Sequence, residues 1–167
     1  MKLDDCHNFE DFRNLAKKKL PSPIFHYIDG GSDDEITLNR NTSSFNDYDL
    51  IPSVLNDVSN VDMSTTVLGE KIDFPLFPAA TAMHKLYHHE GERASAKAVE
   101  KVGTIFGLST MSTVSIEEIA TINKGPKLFQ LYIHKDRGLT DNLLERCKKA
   151  GFTSMCLTVD TVVAGNR

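Results

Sequence analysis

From residue 75 onward the chain alternates between strand-like and helix-like segments, and this alternation limits the folds it can adopt. Four short apolar segments begin about 25 residues apart, the length of one strand–helix unit with a right-handed crossover. They cover residues 76–80, 104–108, 128–131 and 154–158. The stretches with helical spacing between them cover residues 91–102, 116–122 and 140–150. The pattern predicts a parallel β-sheet whose four strands are buried on both faces.

Two architectures contain such a sheet: an open doubly wound sheet and a (β/α)8 barrel. The glycine-rich phosphate loops GxGxxG and GxxxxGK[ST] are absent, which weakens the first. A complete barrel needs roughly 250 residues, whereas only about 90 of the 167 residues follow residue 75. The sequence also stops soon after its fourth predicted strand, so truncation is the simpler interpretation. We predict an α/β fold, a (β/α)8 TIM barrel represented by roughly its first four βα units in residues 64–167.

The first 63 residues are predicted to form a helical segment ahead of the barrel. Asn8 is placed to cap a helix that runs to about residue 19. A second helix is expected to begin at the Ser-Pro pair of residues 22–23 and to end at the glycine pair of residues 30–31. Residues 32–35, Ser-Asp-Asp-Glu, fit a capping box that opens a third helix.

Local signals also mark turns and helix ends in the second part of the chain. Residues 65–72 predict a small hairpin that turns near Gly69. Residues 115–118, Ser-Ile-Glu-Glu, form a second capping box. Gly103 and Gly151 stand where the C-caps of two predicted helices belong, which supports the strand–helix boundaries given above.

Charge and cysteine content restrict the partners and the compartment. The sequence carries 19 basic and 23 acidic residues, and its densest basic run is only residues 17–19, so nucleic acid is not a predicted partner. The three cysteines (Cys6, Cys147 and Cys156) have no metal-type spacing, and the acidic amino terminus is unlike a secretory signal. No apolar window reaches 18 residues. We predict a cytoplasmic protein with reduced thiols; peripheral attachment at the inner face of the cell membrane remains open.

Polar side chains follow the predicted strands at their carboxyl ends, where ligands bind in both architectures. They are Thr81 after the first strand, Ser109 after the second, Gln130 and Tyr132 on the third, and Thr158 and Asp160 on the fourth. Alternate residues of a strand share a face, so the two residues of each later pair are expected to point into one pocket. Each has a structural alternative, because a serine or threonine after a strand is usually a helix cap and a lone aspartate is usually structural. Four strands that end this way together favour a ligand site.

Histidines near residue 88 raise the question of a metal. His84 and the run His88-His89-Glu90 carry suitable ligand atoms. Adjacent histidines on a helix point in different directions and do not converge on one ion. No metal site is therefore predicted.

Taken in order, several short motifs resemble the FMN-dependent L-2-hydroxy-acid oxidase and dehydrogenase family along nearly the whole chain. The matching stretches are Phe-His-Tyr-Ile-Asp-Gly-Gly at 25–31, Thr-Ala-Met to Glu-Gly-Glu at 81–92, Leu-Ser-Thr at 108–110, Phe-Gln-Leu-Tyr with Lys-Asp-Arg at 129–137, and Leu-Thr-Val-Asp-Thr at 157–161. Each is modest alone, but their order and spacing are specific. The Asp-Gly-Gly and His-His-Glu-Gly variants, with Ala-Gly-Asn-Arg at 164–167, are most similar to the bacterial L-lactate dehydrogenase branch.

The resemblance implies a barrel that holds FMN at the carboxyl ends of its strands. The backbone of three consecutive residues would face the flavin near its reactive nitrogen, and three side chains would hydrogen-bond the isoalloxazine ring. The backbone positions are Ala80, Thr81 and Ala82, and the side chains are Ser109, Gln130 and Thr158. Ala80 stands where the family usually has proline; since the contact is made by backbone, flavin binding is expected to survive this difference.

The resemblance also assigns roles toward the substrate. Tyr27 would donate to the substrate carboxylate, Tyr132 would sit beside its hydroxyl, and Arg167 would reach the substrate region. Asp160 would orient and charge-stabilise the catalytic histidine, because a carboxylate beside an imidazole favours the cationic form. Met111 stands where glycolate oxidases have tryptophan, and its flexible thioether suits a pocket for a small substrate such as lactate.

The function implied by the resemblance is oxidation of an L-2-hydroxy acid, with L-lactate to pyruvate favoured, by way of FMN and on to a quinone or cytochrome. The base histidine, the main carboxylate-binding arginine, the flavin-contacting lysine and the phosphate loops of the family match no position here, so a missing second half-barrel is an expected partner. The complete protein is expected to be a homo-oligomer, as the family tends towards tetramers. An oxygen-using oxidase of the glycolate-oxidase type and a non-catalytic flavin- or protein-binding half-barrel remain alternatives.

Overall fold

The computed structural model describes residues 2–161 and 163–166. The described chain divides into two compact units, one of residues 2–56 together with residues 163–166, and the other of residues 57–161. None of the helices within the described ranges is both long enough and apolar enough to cross a lipid bilayer.

The first unit consists of three short helices. They are α1 (Phe9–Lys19), α2 (Ser22–Asp29) and α3 (Ile36–Ser43), with single 3-10 turns at Leu3–Asp5 and Ser44–Asp47. Asn8 caps α1 as predicted, since its side chain accepts a hydrogen bond of 2.9 Å from the Asp11 backbone N–H. Arg13 on α1 donates to both carboxylate oxygens of Asp29 on α2, at 2.6 and 2.8 Å. This bidentate pair joins the two helices and lowers the pKa of Asp29.

The capping box predicted for residues 32–35 is wrong. The third helix begins only at Ile36, and Glu35 itself has a left-handed backbone, with φ of 56°. The Glu35 carboxylate accepts a hydrogen bond of 2.9 Å from the Gly31 backbone N–H instead of serving the start of a helix at Ser32. The acidic side chain is thus used by the turn before α3.

The second unit opens with the predicted hairpin. Strands β1 (Thr65–Val67) and β2 (Glu70–Ile72) pair antiparallel. Leu68 and Gly69 connect them with φ values of 54° and 81°, the left-handed pair of a two-residue hairpin turn. The turn near Gly69 is confirmed.

Three parallel strands form the sheet of the second unit, in the order β3 (Phe106–Ser109), β4 (Lys127–Leu131) and β5 (Ser154–Leu157). Helix α4 (Glu92–Val102) precedes β3, and α5 (Ile116–Ile122) and α6 (Arg137–Lys149) connect the three strands. Ser109 lies opposite Gln130, which lies opposite Cys156. This register brings the carboxyl ends of the strands to one edge.

The first predicted strand, residues 76–80, is not a strand of the described structure. Pro75 and Pro78 lack the N–H groups that a ladder requires. The segment nevertheless runs beside β3: the Thr104 hydroxyl donates to the Leu76 carbonyl at 2.7 Å, and a methyl group placed on Gly107 would lie 3.0 Å from the Ala80 backbone nitrogen. The segment is therefore held next to the sheet by side-chain bonding and close packing.

The expectation that every strand is buried on both faces also fails for the last one. All residues of β3 and β4 are buried, whereas Met155 and Leu157 of β5 are 51% and 42% exposed. Both side chains lie on the same face as Phe129 and Leu131 of β4, to which they are paired in register. An apolar strand sequence therefore does not by itself ensure that the strand is buried.

The two faces of the sheet have different cores. The outer face packs its alternate residues against α4, α5 and α6 in one apolar cluster that includes Phe106, Leu108, Phe129 and Leu131. On the inner face, Ile105 and Leu128 pack against Ile72 of the hairpin. Strand alternation then places Ser109 and Gln130 on the inner face as well, closer than Ile105 and Leu128 to the carboxyl ends of the strands. The hairpin thus closes the amino-terminal end of this face, and its other end carries polar side chains.

Two glycines with a left-handed backbone offer a matched test of the packing at the amino-terminal end of the sheet. Gly103 (φ 74°) follows α4 and Gly151 (φ 75°) follows α6. A methyl group on Gly103 would overlap the Asp73 carboxylate, whereas one on Gly151 would meet nothing within 4 Å. We expect Gly151→Ala to cost about 1 kcal/mol, the left-handed penalty alone, and Gly103→Ala to cost at least about 1 kcal/mol more. Urea unfolding of both variants checks this; equal losses would contradict it.

Candidate functional site

A chain of hydrogen bonds joins the ends of the three parallel strands. The Ser109 hydroxyl donates to the Gln130 side-chain oxygen at 2.9 Å, and the Gln130 side-chain nitrogen donates to the Thr158 hydroxyl at 2.8 Å. Ser109 and Gln130 are buried, and Thr158 is partly exposed. The three side chains that the resemblance assigns to the flavin ring are therefore in direct contact with one another.

The orientation of the Gln130 amide follows from its neighbours. The Thr110 backbone N–H points at the same side-chain oxygen, at 3.3 Å, and an N–H group can only donate. The nitrogen end must therefore face Thr158, so donation runs from Ser109 through Gln130 to Thr158. Since the Thr158 oxygen accepts from Gln130, its own hydroxyl hydrogen is directed elsewhere. The chain of donors thus ends in a group that can donate to a ligand.

Thr110 fastens the turn after β3 to the end of β4. Its hydroxyl donates to the Gln130 backbone carbonyl at 2.6 Å and accepts from the Tyr132 backbone N–H at 3.1 Å. Tyr132 is partly exposed, and alternation along the strand puts its side chain on the same face as that of Gln130. The backbone beneath both side chains is thereby fixed.

The segment predicted to face the flavin lies over the first of these strands. Ala80 packs against Gly107 of β3, as described above, and Met83 has a left-handed backbone with φ of 53°. The Met83 N–H donates to the Met111 carbonyl at 3.1 Å, which ties this segment to the turn after β3. Thr81 is exposed and Ala82 is partly buried, while the Met111 side chain is 49% exposed. The segment is thus held beside the turn after β3, with Thr81 exposed.

The carboxyl ends of the parallel strands and the turns that follow them form the rim of the site. Glu92 is a buried carboxylate near this rim that the sequence analysis missed. The residue is only 1% exposed. One carboxylate oxygen accepts from the backbone N–H groups of Thr113 at 2.9 Å and His84 at 3.2 Å, and the other accepts from the Thr113 hydroxyl at 2.5 Å. Burial alone would raise the pKa of this carboxyl, but these hydrogen bonds outweigh it and hold the pKa below its usual value. A glutamate directly after a glycine, at the first position of a helix, is the sequence signal that could have pointed to it.

The lowered pKa of Glu92 predicts a pH dependence of folding. Its stabilisation is fully present above the ordinary carboxyl pKa and is lost as pH falls through the lower folded-state value. We expect Glu92→Gln to lower the free energy of unfolding by about 2 kcal/mol near neutral pH, and the difference from wild type to shrink in acid. Denaturant unfolding between neutral and acidic pH measures it.

Glu117→Gln is the matched control for this measurement. The hydrogen bonds from Arg146, at 2.7 and 2.8 Å, lower the pKa of Glu117 to about 2, yet the Glu117 side chain is 55% exposed. Solvent-exposed ion pairs contribute at most about 1 kcal/mol to the free energy of unfolding. A loss in Glu117→Gln as large as that in Glu92→Gln would show that burial is not what makes the Glu92 bonds strong.

The remaining predicted residues are placed as follows. Asp160 is exposed and follows the last residue of β5 by three positions. Tyr27 lies on α2 in the first unit and is 50% exposed. Arg167 lies outside the described residues. In the part of the chain that is described, no three histidine, cysteine or carboxylate side chains gather around a possible metal position.

The donor set at the rim suits a flat, neutral heterocycle. Its groups are hydroxyl, amide and backbone groups, which bind alternating N–H and C=O edges without a net charge. The close approach at Gly107 leaves the segment at residue 80 flat against the sheet, where a larger side chain would push it away. Both features fit the isoalloxazine ring of a flavin, and Ser109, Gln130 and Thr158 are the side chains that would hold it.

Comparison with known proteins gives the same class. The sequence signature described as FMN-dependent dehydrogenase matches residues 16–167. L-lactate dehydrogenase of Vibrio parahaemolyticus is 46% identical over 157 residues, 94% of this chain and 41% of that protein. Glycolate oxidase of Spinacia oleracea is 43% identical over 160 residues, 96% of this chain and 43% of that protein. The solved flavin-binding domain of baker's yeast flavocytochrome b2 covers all of this chain with a TM-score of 0.92 and 33% identity, and the chain covers 44% of it.

These findings define a flavin-dependent oxidoreductase fold. The chain belongs to the FMN-dependent dehydrogenase family. The predicted fold class, part of a (β/α)8 barrel, and the predicted cofactor, FMN, are confirmed. The chain spans a little under half the length of the curated relatives it matches.

Proposed function

We propose that this chain contributes the first part of an FMN-binding barrel that oxidises L-lactate to pyruvate and passes the electrons to a quinone or cytochrome. In this proposal residues 1–63 form the helical segment ahead of the barrel and residues 64–167 its first half. The observation that carries it is the hydrogen-bonded row of Ser109, Gln130 and Thr158 at the strand ends. FMN, when bound, supplies the acceptor for the two electrons of the substrate.

The chain's own residues would bind and orient the reactants. Tyr27 would donate to the substrate carboxylate, with Arg167 reaching the same region, and Tyr132 would lie beside the hydroxyl. Asp160 would stabilise the positive charge on an imidazole that has taken the hydroxyl proton. That imidazole would come from the second half-barrel, since no histidine of this chain matches the family's base.

A fused protein tests the proposal. Residues 1–167 are joined to the part of the Vibrio parahaemolyticus L-lactate dehydrogenase that follows its 157 matched residues. We expect the fused protein to be yellow and its visible flavin absorbance to bleach when L-lactate is added without oxygen. Residues 1–167 alone are expected to bind FMN weakly and to oxidise no lactate, because the groups assigned to the base and the phosphate match no position in them. Turnover by the 167 residues alone, or a folded but colourless fused protein, would refute the proposal.

A second candidate is an oxidase of the glycolate-oxidase type. It is favoured by the near-equal identities of the spinach glycolate oxidase and the Vibrio L-lactate dehydrogenase. Steady-state assays of the fused protein with L-lactate and glycolate, each with oxygen or a quinone as acceptor, separate the two. The L-lactate proposal requires the higher kcat/KM with L-lactate and a faster rate with the quinone.

Attachment to a membrane surface and assembly into a homotetramer also belong to the proposal. Neither depends on the rim geometry. Sedimentation of the fused protein with and without lipid vesicles measures both together.

A further inference from the structure

The Glu92 carboxylate cross-links the two loops that follow the first two barrel segments. It accepts hydrogen bonds from the His84 backbone N–H, two residues after the stretch predicted to face the flavin, and from both the backbone N–H and the hydroxyl of Thr113 in the loop after β3. The Thr113 hydroxyl in turn accepts from the Lys85 N–H at 3.3 Å. One buried side chain therefore bonds to both loops at once.

The backbone around Glu92 is shaped to allow this contact. Gly91 has φ of 58°, and a methyl group on it would lie 2.8 Å from the Lys85 side chain and 3.2 Å from the Thr113 hydroxyl. Only glycine lets the start of α4 approach both loops so closely. Three residues further along α4, the Ser95 hydroxyl lies 3.2 Å from the His84 ring nitrogen Nδ1. The first turn of α4 thus contacts the same loop twice.

We propose that Glu92 is a positioning residue of the flavin site: it holds residues 80–83 and 109–111 in register without touching the cofactor. The inference rests on the proposed function, because these two segments are the ones assigned to the flavin and the substrate. The link is a direct one: Met83, which donates to the Met111 carbonyl at 3.1 Å, is the neighbour of His84. Loss of the carboxylate would let the two segments shift against each other.

The test uses four variants of the fused protein. Glu92→Gln removes the charge but keeps the size, Thr113→Val removes the hydroxyl donor and Thr113→Ser keeps it. Glu117→Gln is the control, because it loses an exposed pair between α5 and α6 that bonds neither loop. We expect Glu92→Gln and Thr113→Val each to weaken FMN binding about tenfold, and Thr113→Ser and Glu117→Gln to stay within about twofold of wild type. Fluorescence titration with FMN gives the Kd values.

A double variant tests whether Glu92 and Thr113 act as one contact. If they do, the FMN Kd of Glu92→Gln/Thr113→Val should exceed the Kd of either single variant by no more than about twofold. The KM for L-lactate should also rise in Glu92→Gln, since Met111 lies on the loop that moves. Unchanged Kd and KM in folded Glu92→Gln, or failure of Thr113→Ser to retain binding, would overturn the inference.

Amide hydrogen exchange on the 167-residue chain separates this inference from the proposed function. It needs no flavin, and it reports whether the His84 and Thr113 N–H groups lose protection in Glu92→Gln but not in Glu117→Gln. Unchanged protection of both would overturn the positioning role whatever the chain binds. Lost protection together with a wild-type fused protein that binds no FMN would instead count against the proposed function.

Discussion

FMN binding by the fused protein is expected to fall at least about 100-fold when Gln130 is replaced by methionine. Methionine matches the size of glutamine but cannot hydrogen-bond the Ser109 hydroxyl or the Thr110 N–H. The buried Ser109 hydroxyl would be left without its acceptor, and Thr158 would lose the donor that orients it. The Thr110 N–H would keep only its bond of 3.0 Å to the backbone carbonyl of residue 130. The ends of all three strands would then present misaligned donors to the ring. Titration with FMN, followed by its fluorescence, measures the effect.

Asn123→Leu is the control for this prediction. Asn123 is also buried, follows α5, and donates one hydrogen bond of 2.9 Å to the Ala96 carbonyl on α4. We expect the substitution to leave the FMN Kd within about twofold of wild type. If Asn123→Leu weakened FMN binding as much as Gln130→Met, the effect of Gln130 would be one of general stability and not of ligand contact.

The second large effect is expected at Asp160. Asp160→Asn keeps the size of the side chain but removes the negative charge that would stabilise a protonated imidazole. We expect the kcat for L-lactate in the fused protein to fall about 100- to 10,000-fold, with FMN binding unchanged. Stopped-flow measurement of flavin reduction isolates the chemical step from product release.

Asp141→Asn serves as its control. Asp141 is exposed on α6 and is not among the residues assigned to the site. The fused protein with Asp141→Asn should retain wild-type kcat. A loss of FMN binding in Asp160→Asn, in place of a loss of rate, would assign Asp160 to the cofactor and contradict the role proposed for it.

The strand–helix alternation was enough to predict the sheet, because strands buried on both faces read as continuous apolar runs. The predicted runs at 104–108 and 128–131 differ from β3 and β4 by two residues or fewer at each end. The strand predicted at 76–80 was wrong. Its residues form the same kind of apolar run, but its flanking and internal prolines lack the backbone N–H groups that sheet hydrogen bonds require. Periodicity reports burial, and hydrogen bonding must be judged separately.

Side-chain partners far apart in the sequence were the part that could not be predicted. Ser115 caps α5 as expected, by accepting from the Glu118 N–H at 3.2 Å. The Glu118 carboxylate, however, pairs with Arg93, 25 residues away, instead of completing the capping box. Glu92 escaped notice for the same reason, since its partners at His84 and Thr113 are brought to it by the fold. Local motifs predict a cap, but only the tertiary structure decides which competing partner a carboxylate takes.

The central claim is that Gln130 and Thr158, at the ends of β4 and β5, hold the ring of FMN. A crystal structure of the fused protein with FMN tests it most directly. We predict that the isoalloxazine ring lies against the segment at residues 80–82, with ring atoms within about 3 Å of the Gln130 amide and the Thr158 hydroxyl. A flavin bound elsewhere, with these two side chains bonded only to each other, would contradict the account.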